Sequence, residues 1–392
     1  MNARRVISVL WFLLAAVTCI VLFEGLLHLY NPNRSRVRNG KILLPANQTY
    51  VFTNTDIPKI EKRIVHSKNS LGFRGPEIPA RFGEYLSIIV AGGSTTECFY
   101  LSDDKTWPYL VGERLKGAYD KVWVNNAGLD GFSTFGIIPL LHDHITRIRP
   151  AYTLFLLGAN EIGRKGDNAA DKDKMAPSSE SVSILKNVKN ESELFEFARI
   201  TWNSLAKRGG RKIGHHPLDL QALSHVNIDQ RAIDAQLDVH RKAYIPGYRQ
   251  RLMSIIRMCR ENGIRPVFIT QPTLAGKGVD ASTGVNLETM VLEDGSSGLM
   301  EWKVLELYND TLREISRENA VPLIDLAAAF PRDSRYYYDK LHFDIEGSRV
   351  AAAMIGDRLK EIIAGDDGRL PGEFRRGDGD GNVRYAGSFP AQ

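Results

Sequence analysis

The sequence predicts a three-layer α/β/α sandwich built on a five-stranded parallel sheet and preceded by one transmembrane helix. From about Leu86, short runs of apolar and β-branched residues alternate with segments of helical periodicity, which is typical of βαβ units. Near the N-terminus, Val6–Phe23 is an 18-residue stretch without a charged side chain, long enough to cross a bilayer. We therefore expect an α/β domain joined to a membrane segment.

The strands of the predicted sheet are short apolar runs that turn signals separate. Strands are expected at Leu86–Ala91, Val122–Asn126, Thr153–Leu157, Pro266–Thr270 and Val321–Ile324. Helices are expected between and after them, at Trp107–Leu115, Ile137–Ile148, Tyr248–Asn262, Glu301–Asn319 and Ile345–Ile363.

One connection is too long for a simple crossover, because more than 100 residues separate the third strand from the fourth. We place an insertion at about 163–245, with a mobile polar loop at Gly166–Ser181 and helices at Glu193–Leu205 and Asp229–Tyr244. The apolar stripe of the first helix either packs on the main domain or forms a lid or membrane-facing surface. The chain thus divides into a membrane anchor or signal (1–30), a linker and lead-in (31–80), the α/β domain (81–364) and a disordered tail (365–392).

The apolar segment is interpreted as an uncleaved, single-pass anchor. Ala15–Cys19 offers neither a good signal-peptidase site nor a lipoprotein box. The basic residues of Arg34–Lys41 outnumber Arg4 and Arg5, and the charge rule alone would leave the domain in the cytoplasm. The very short N-terminal tail favours export, so we expect a periplasmic or extracellular domain.

The composition excludes several classes of function. The net charge of +5 is spread over the chain, and no basic run interleaved with aromatic residues predicts nucleic-acid binding. The three cysteines lie far apart, and neither a phosphate loop nor a dinucleotide fingerprint occurs, so no metal and no cofactor are expected. His215-His216 is interpreted as a solvated pair in the insertion, not a metal site.

A candidate nucleophile follows the first strand of the sheet. Ser87–Thr96 reads as a buried strand that runs into a Gly-Gly turn, with Ser94 just past its carboxyl end, where ligands bind in open α/β sheets. The glycines allow a sharp turn and a close approach of substrate. Taken alone, Ser94 fits a helix cap equally well.

A candidate base lies near the C-terminus, where Asp339 precedes His342 by three residues, just ahead of a helix. A serine hydroxyl needs a base to accept its proton, and a carboxylate can orient and stabilise the resulting imidazolium. Ser94, His342 and Asp339 therefore have the chemistry of a serine hydrolase.

Two further segments supply candidate oxyanion donors. Asn125–Ser133 follows the second strand and Gly158–Glu161 follows the third, so both lie at carboxyl ends of strands. A glycine N–H and an asparagine amide can stabilise a tetrahedral intermediate, although Gly and Asn also serve ordinary turns.

This ordered set resembles the SGNH (GDSL-like) hydrolase family over about Asn69–Ile363. The four blocks of that family would contribute Ser94, Gly131, Asn160, and the Asp339 and His342 pair; Gly347 and the lead-in Asn69–Gly75 look similar to bacterial members. The resemblance implies the flavodoxin-like SGNH fold, and an oxyanion hole of the Ser94 N–H, the Gly131 N–H and Asn160. The first block departs from the family pattern by reading Gly-Gly-Ser-Thr, the third by ending in Glu161, and Gly128 is an alternative to Gly131.

The resemblance implies a serine-dependent acyl-ester hydrolase. For an exported, anchored member it suggests acetyl or other acyl groups on a cell-envelope or exopolysaccharide glycan as substrate. The alternatives are an O-acyltransferase that uses the same residues, a lipid esterase, and a non-catalytic envelope scaffold.

Overall fold

The computed structural model describes residues 3–29, 37–38, 41–42, 44–164, 192, 194, 197, 215 and 217–366. The loop predicted at 166–181, most of the helix predicted at 193–205 and the tail at 367–392 lie outside the described residues.

The chain begins with helix α1, Ala3–Leu29. Ile7–Leu27 is long and apolar enough to cross a membrane, and large side chains such as Trp11 and Phe12 are exposed along it. Such a helix fits a membrane span or a signal sequence.

Two antiparallel ribbons lie between α1 and the main sheet. Strand β1 (Val37–Arg38) pairs with β2 (Lys41–Ile42), and β3 (Gln48–Thr53) pairs with β4 (Arg63–Lys68). Alternate residues of β4 are buried, which is the period of a strand with one covered face. The described part of residues 31–80 therefore contains two pairs of antiparallel strands, which the sequence did not predict.

The main sheet has the five parallel strands that the sequence predicts. They are β5 (Leu86–Gly92), β6 (Val122–Asn126), β7 (Tyr152–Leu157), β8 (Arg265–Thr270) and β9 (Leu323–Ile324), in the order β6-β5-β7-β8-β9. Every residue of β5 and β7 is buried, because both faces of the sheet are covered. Strand β9 is shorter than predicted: it pairs with β8 at only two positions, and Pro322 before it has no N–H to donate.

The helices of the main domain are α2 (Ser94–Glu97), α3 (Trp107–Lys116), α4 (Thr134–Leu140), α5 (Thr146–Ile148), α6 (Gln230–Ala243), α7 (Ile245–Glu261), α8 (Gly298–Glu318), α9 (Leu326–Ala329) and α10 (Ile345–Gly365). A π-helical turn, Leu141–Ile145, joins α4 to α5. Short 3₁₀ turns lie at Phe82–Glu84, Asp103–Lys105, Ala159–Glu161, Leu220–Ala222 and Ser334–Tyr336.

Two apolar cores separate the sheet from its helices, which gives the predicted three layers. One core contains Val111 of α3 and Ile355 of α10; the other contains Leu252 of α7 and Leu312 of α8. The strand order reverses beside β5, so segments that leave the carboxyl ends of β5, β6 and β7 meet at one place, where ligands bind in such sheets.

Candidate active site

Ser94 lies at the first position of α2, directly after Gly92 and Gly93. A Cβ at Gly93 would lie 2.0 Å from Nδ2 of Asn160, and one at Gly92 would lie 2.7 Å from the carbonyl oxygen of Leu156. Any side chain larger than that of glycine would overlap these atoms. The two glycines therefore allow the backbone to bring Ser94 close to Asn160.

The Ser94 hydroxyl lies at one end of a line of hydrogen bonds. It is 2.8 Å from Nε2 of His342, and Nδ1 of the same ring is 2.7 Å from Oδ2 of Asp339. An ionised carboxylate can only accept, so Nδ1 of His342 carries the proton and its Nε2 lone pair faces Ser94. The structure thus brings together three side chains from opposite ends of the domain.

Asp339 is held by the loop that carries it. Its Oδ1 accepts the backbone N–H groups of Leu341 at 2.8 Å and His342 at 2.7 Å. Burial alone would raise the pKa of this carboxyl, but the His342 imidazole and these hydrogen bonds hold the pKa below its usual value. The carboxylate is therefore ionised at neutral pH and oriented toward Nδ1.

Asn160 lies in the 3₁₀ turn after β7, and its Nδ2 donates to the carbonyl of Phe132 at 3.0 Å. Gly93, Ser94, Phe132 and Asn160 line one small cleft. Its floor is at the carboxyl ends of β5 and β7.

The two glycines of the second block differ in what their N–H groups do. The Gly128 N–H donates to Oδ1 of Asn126 at 2.8 Å. Gly131 has a φ of +74°, has open space on its Cβ side, and among the described residues no acceptor takes its N–H. Within the part of the chain that the structure describes, Gly131 is therefore the one of the two whose N–H has no acceptor.

The sequence model of the GDSL-like lipase/acylhydrolase family matches residues 90–350, more than half of the chain. This chain belongs to the GDSL-like lipase/acylhydrolase family. The predicted family is confirmed, and the chain is an ester-hydrolysing enzyme. No curated protein matches it significantly.

This GDSL-like hydrolase is similar in fold to solved structures. An acetyl xylan esterase, AlAXEase, has 13% identity and a TM-score of 0.38, covering 70% of this chain and 99% of that one. The acetylxylan esterase Axe2 from Geobacillus stearothermophilus has 12% identity and a TM-score of 0.40, covering 69% and 93%. A GDSL-like lipase from Parabacteroides merdae has 12% identity and a TM-score of 0.40, covering 73% and 99%.

The lead-in of this GDSL-like hydrolase contacts the segment that carries Ser94 directly. The buried Arg74 guanidinium donates to the carbonyls of Glu97 and Cys98 at 2.7 and 2.8 Å, at the end of α2, and pairs with Asp103. Free carbonyls at a helix end need such donors. The lead-in therefore helps to hold the helix that carries Ser94 in place.

His215 of the insertion lies against His342. Its ring stacks on His342 with centroids 4.0 Å apart and planes 22° apart, and its Nδ1 lies 2.8 Å from the Tyr338 hydroxyl. The interpretation of His215 as solvated was therefore wrong. The local sequence could not reveal this contact, because Tyr338 lies 123 positions away along the chain. His216 lies outside the described residues.

His215, Asp339 and His342 have ligand atoms within 4.8 Å of one another and are types that bind zinc. However, two imidazoles in a near-parallel stack direct their lone pairs side by side, not toward one point. Both His342 nitrogens already have partners. The arrangement therefore favours a hydrogen-bonded histidine, and the absence of a metal stays a prediction.

Proposed function

We propose that this GDSL-like hydrolase cleaves acyl esters with Ser94 as nucleophile, His342 as general base and Asp339 as the group that orients His342. The observation that carries the proposal is the continuous line of hydrogen bonds, 2.8 Å from Ser94 to His342 and 2.7 Å from His342 to Asp339. Such a line activates a hydroxyl that is otherwise a poor nucleophile.

In the first half-reaction, Oγ of Ser94 bonds to the ester carbonyl carbon while its proton moves to Nε2 of His342. The negative oxygen accepts hydrogen bonds from the Ser94 N–H, the Gly131 N–H and Nδ2 of Asn160. The carbon–oxygen bond to the leaving alcohol breaks, and His342 returns the proton to that alcohol. Water then attacks the acyl-enzyme by the same route and releases the acid.

The substrate we propose is an acetyl or other acyl ester on a cell-envelope or exopolysaccharide glycan, reached from a membrane-anchored domain outside the cytoplasm. The closeness of the domain to α1 is supported by contacts of the insertion with the end of this helix: Ser192 Oγ and the Leu194 N–H donate to Glu24 at 2.9 Å each. A carboxylate near the end of a membrane span requires such partners. His215, which lies against His342, belongs to the same insertion, so the insertion contacts both α1 and the candidate site.

The activity is tested with the full-length protein in detergent, by measuring acetate release from acetylated oligosaccharides and turnover of nitrophenyl acetate. Both should occur, and Ser94→Ala should lose both. A wild-type protein that neither releases acetate nor reacts with a fluorophosphonate contradicts the proposal. Faster transfer of the acyl group to an added sugar than to water would instead establish the acyltransferase alternative.

The proposed topology is tested with a reporter fused to the C-terminus. Alkaline phosphatase, which needs export to fold, should be active there. Activity of a reporter that works only in the cytoplasm would show that the basic cluster Arg34–Lys41 decides the orientation.

A further inference from the structure

The loop Asp130–Thr134, which carries Gly131, is bonded at both ends to buried carboxylates. Neither carboxylate, Glu97 or Glu161, takes part in the chemistry proposed above. Glu97 belongs to the helix that starts with Ser94, and Glu161 directly follows Asn160. Each carboxylate therefore joins the Gly131 loop to the segment of another proposed oxyanion donor.

The first connection runs from the lead-in through the nucleophile helix. Glu97 is completely buried, and its Oε2 accepts the Asp130 N–H at 2.6 Å. Its Oε1 lies 3.4 Å from Nζ of Lys68, whose side chain is 2% exposed. Asp130 lies one residue before Gly131, and its acceptor, Glu97, lies three residues after Ser94.

The second connection runs from the Asn160 turn. Glu161 is 1% exposed; its Oε1 accepts the Thr134 N–H and its Oε2 accepts the Thr134 hydroxyl at 2.8 Å. Arg251 lies 3.1 Å from the same carboxylate, and its Nε donates to the Thr134 hydroxyl at 2.6 Å. Burial raises the pKa of Glu161 against the opposing effect of Arg251. Between the two ends, the Phe132 carbonyl accepts from Asn160.

We propose that Glu97 and Glu161 are positioning residues that set the relative positions of the Ser94, Gly131 and Asn160 donors. The inference rests on the proposed function, because it concerns the oxyanion hole assigned there. Buried ion pairs contribute little net stability compared with apolar replacements of similar volume. Hydrogen bonds from backbone N–H to carboxylate are strong and directional, and donors displaced by about 1 Å lose much of their catalytic effect.

The test compares two double variants that differ only in the acceptor at position 97. Lys68→Met/Glu97→Gln removes the charges but keeps an oxygen for the Asp130 N–H; Lys68→Met/Glu97→Leu removes the charges and the acceptor. Relative to the first variant, the second should lose about 10- to 100-fold in kcat on nitrophenyl acetate, with KM within about twofold. Fluorophosphonate labelling of Ser94 should slow by a similar factor.

The matched pair at the other end is Arg251→Met/Glu161→Gln and Arg251→Met/Glu161→Leu, read in the same way. This second pair tests the inference by itself if thermal unfolding shows that a Glu97 variant does not fold. As a control, Asp357→Asn breaks the exposed pair with Arg114 and should leave kcat within about twofold.

Equal kcat and labelling rates for the Gln and Leu members of a folded pair would overturn the inference and leave the proposed function intact. A wild-type protein without ester turnover or labelling would overturn both. A loss that appears only in KM or in thermal stability would assign these carboxylates a purely structural role and so also contradict the inference.

Discussion

The two sides of the candidate site are held by different kinds of contact. On the nucleophile side, Ser94 and its neighbouring segments leave three adjacent strands, and fully buried charges such as Glu97 join them. On the base side, Asp339 and His342 belong to one short loop, and their side chains are 14% and 12% exposed.

The difference lies in the sequence distance of the supporting contacts. The Asp339 carboxylate is held by its own loop, because its Oδ1 accepts from residues two and three positions ahead. The nucleophile side depends on partners that are 29, 33 and 90 positions apart, at Lys68–Glu97, Glu97–Asp130 and Glu161–Arg251. We therefore expect the orientation of Asp339 to be insensitive to most substitutions outside its loop, and the geometry of the nucleophile side to be sensitive to substitution of its distant partners.

The largest expected effect comes from removing the proposed nucleophile. Ser94→Ala should reduce ester turnover by about 10⁶-fold and abolish fluorophosphonate labelling, because no other group can form the acyl-enzyme. His342→Ala should do nearly the same, since the hydroxyl then lacks a base. Turnover and labelling of folded variants are the measurements. Wild-type turnover by folded Ser94→Ala would require both the nucleophile and this site to be abandoned.

Asp339→Asn tests the base side alone. The loop should keep its shape, because an amide oxygen can still accept from the Leu341 and His342 N–H groups, but Nδ1 of His342 loses its charged partner. We expect kcat to fall by about 10³- to 10⁴-fold. A loss below tenfold would show that the neighbouring rings orient His342 without Asp339.

Asn160→Ala tests the nucleophile side in the same way. It should cost about 10²- to 10³-fold in kcat, the usual loss of one oxyanion donor, while labelling by fluorophosphonate falls less. A rise in KM of the same size with kcat unchanged would show that Asn160 is not an oxyanion donor.

The sequence was sufficient for the parts of the molecule whose signals are local. Strand β5 and the step from Asp339 to His342 are each readable within a few residues, and the five-stranded parallel sheet was confirmed. The roles of the site residues stay predictions. Lys68, Arg251 and His215 could not be assigned, because a buried charge or a stacked ring has no signature until the fold supplies its distant partner.

His215→Ala tests whether the insertion supports the base side. Loss of the stacked ring should reduce kcat about 2- to 10-fold, the range that one aromatic pair contributes. His215→Phe keeps a ring over His342 but loses the bond to Tyr338, and should retain most of the activity. Equal kcat in all three proteins would mean that the base loop needs no support from the insertion.

The smallest expected effect concerns stability just after the base loop, where Asp344 caps α10 through the Gly347 N–H at 2.8 Å. Burial raises the pKa of Asp344 to about 6. A raised carboxyl pKa favours the folded state at low pH, and this contribution is lost as the pH rises through about 6, where the buried group ionises. Asp344→Asn keeps the capping oxygen and removes that charge, so it should raise Tm by about 1–3 °C at pH 8 and leave it unchanged near pH 4.

Asp333 gives a control of opposite sign. Burial would raise the pKa of this carboxyl, but hydrogen bonds and the charge of Arg335 hold the pKa at about 2, so Asp333→Asn should lower Tm at pH 8. Tm shifts of the same sign in both variants, or a shift for Asp344→Asn that persists at pH 4, would contradict the assigned cause.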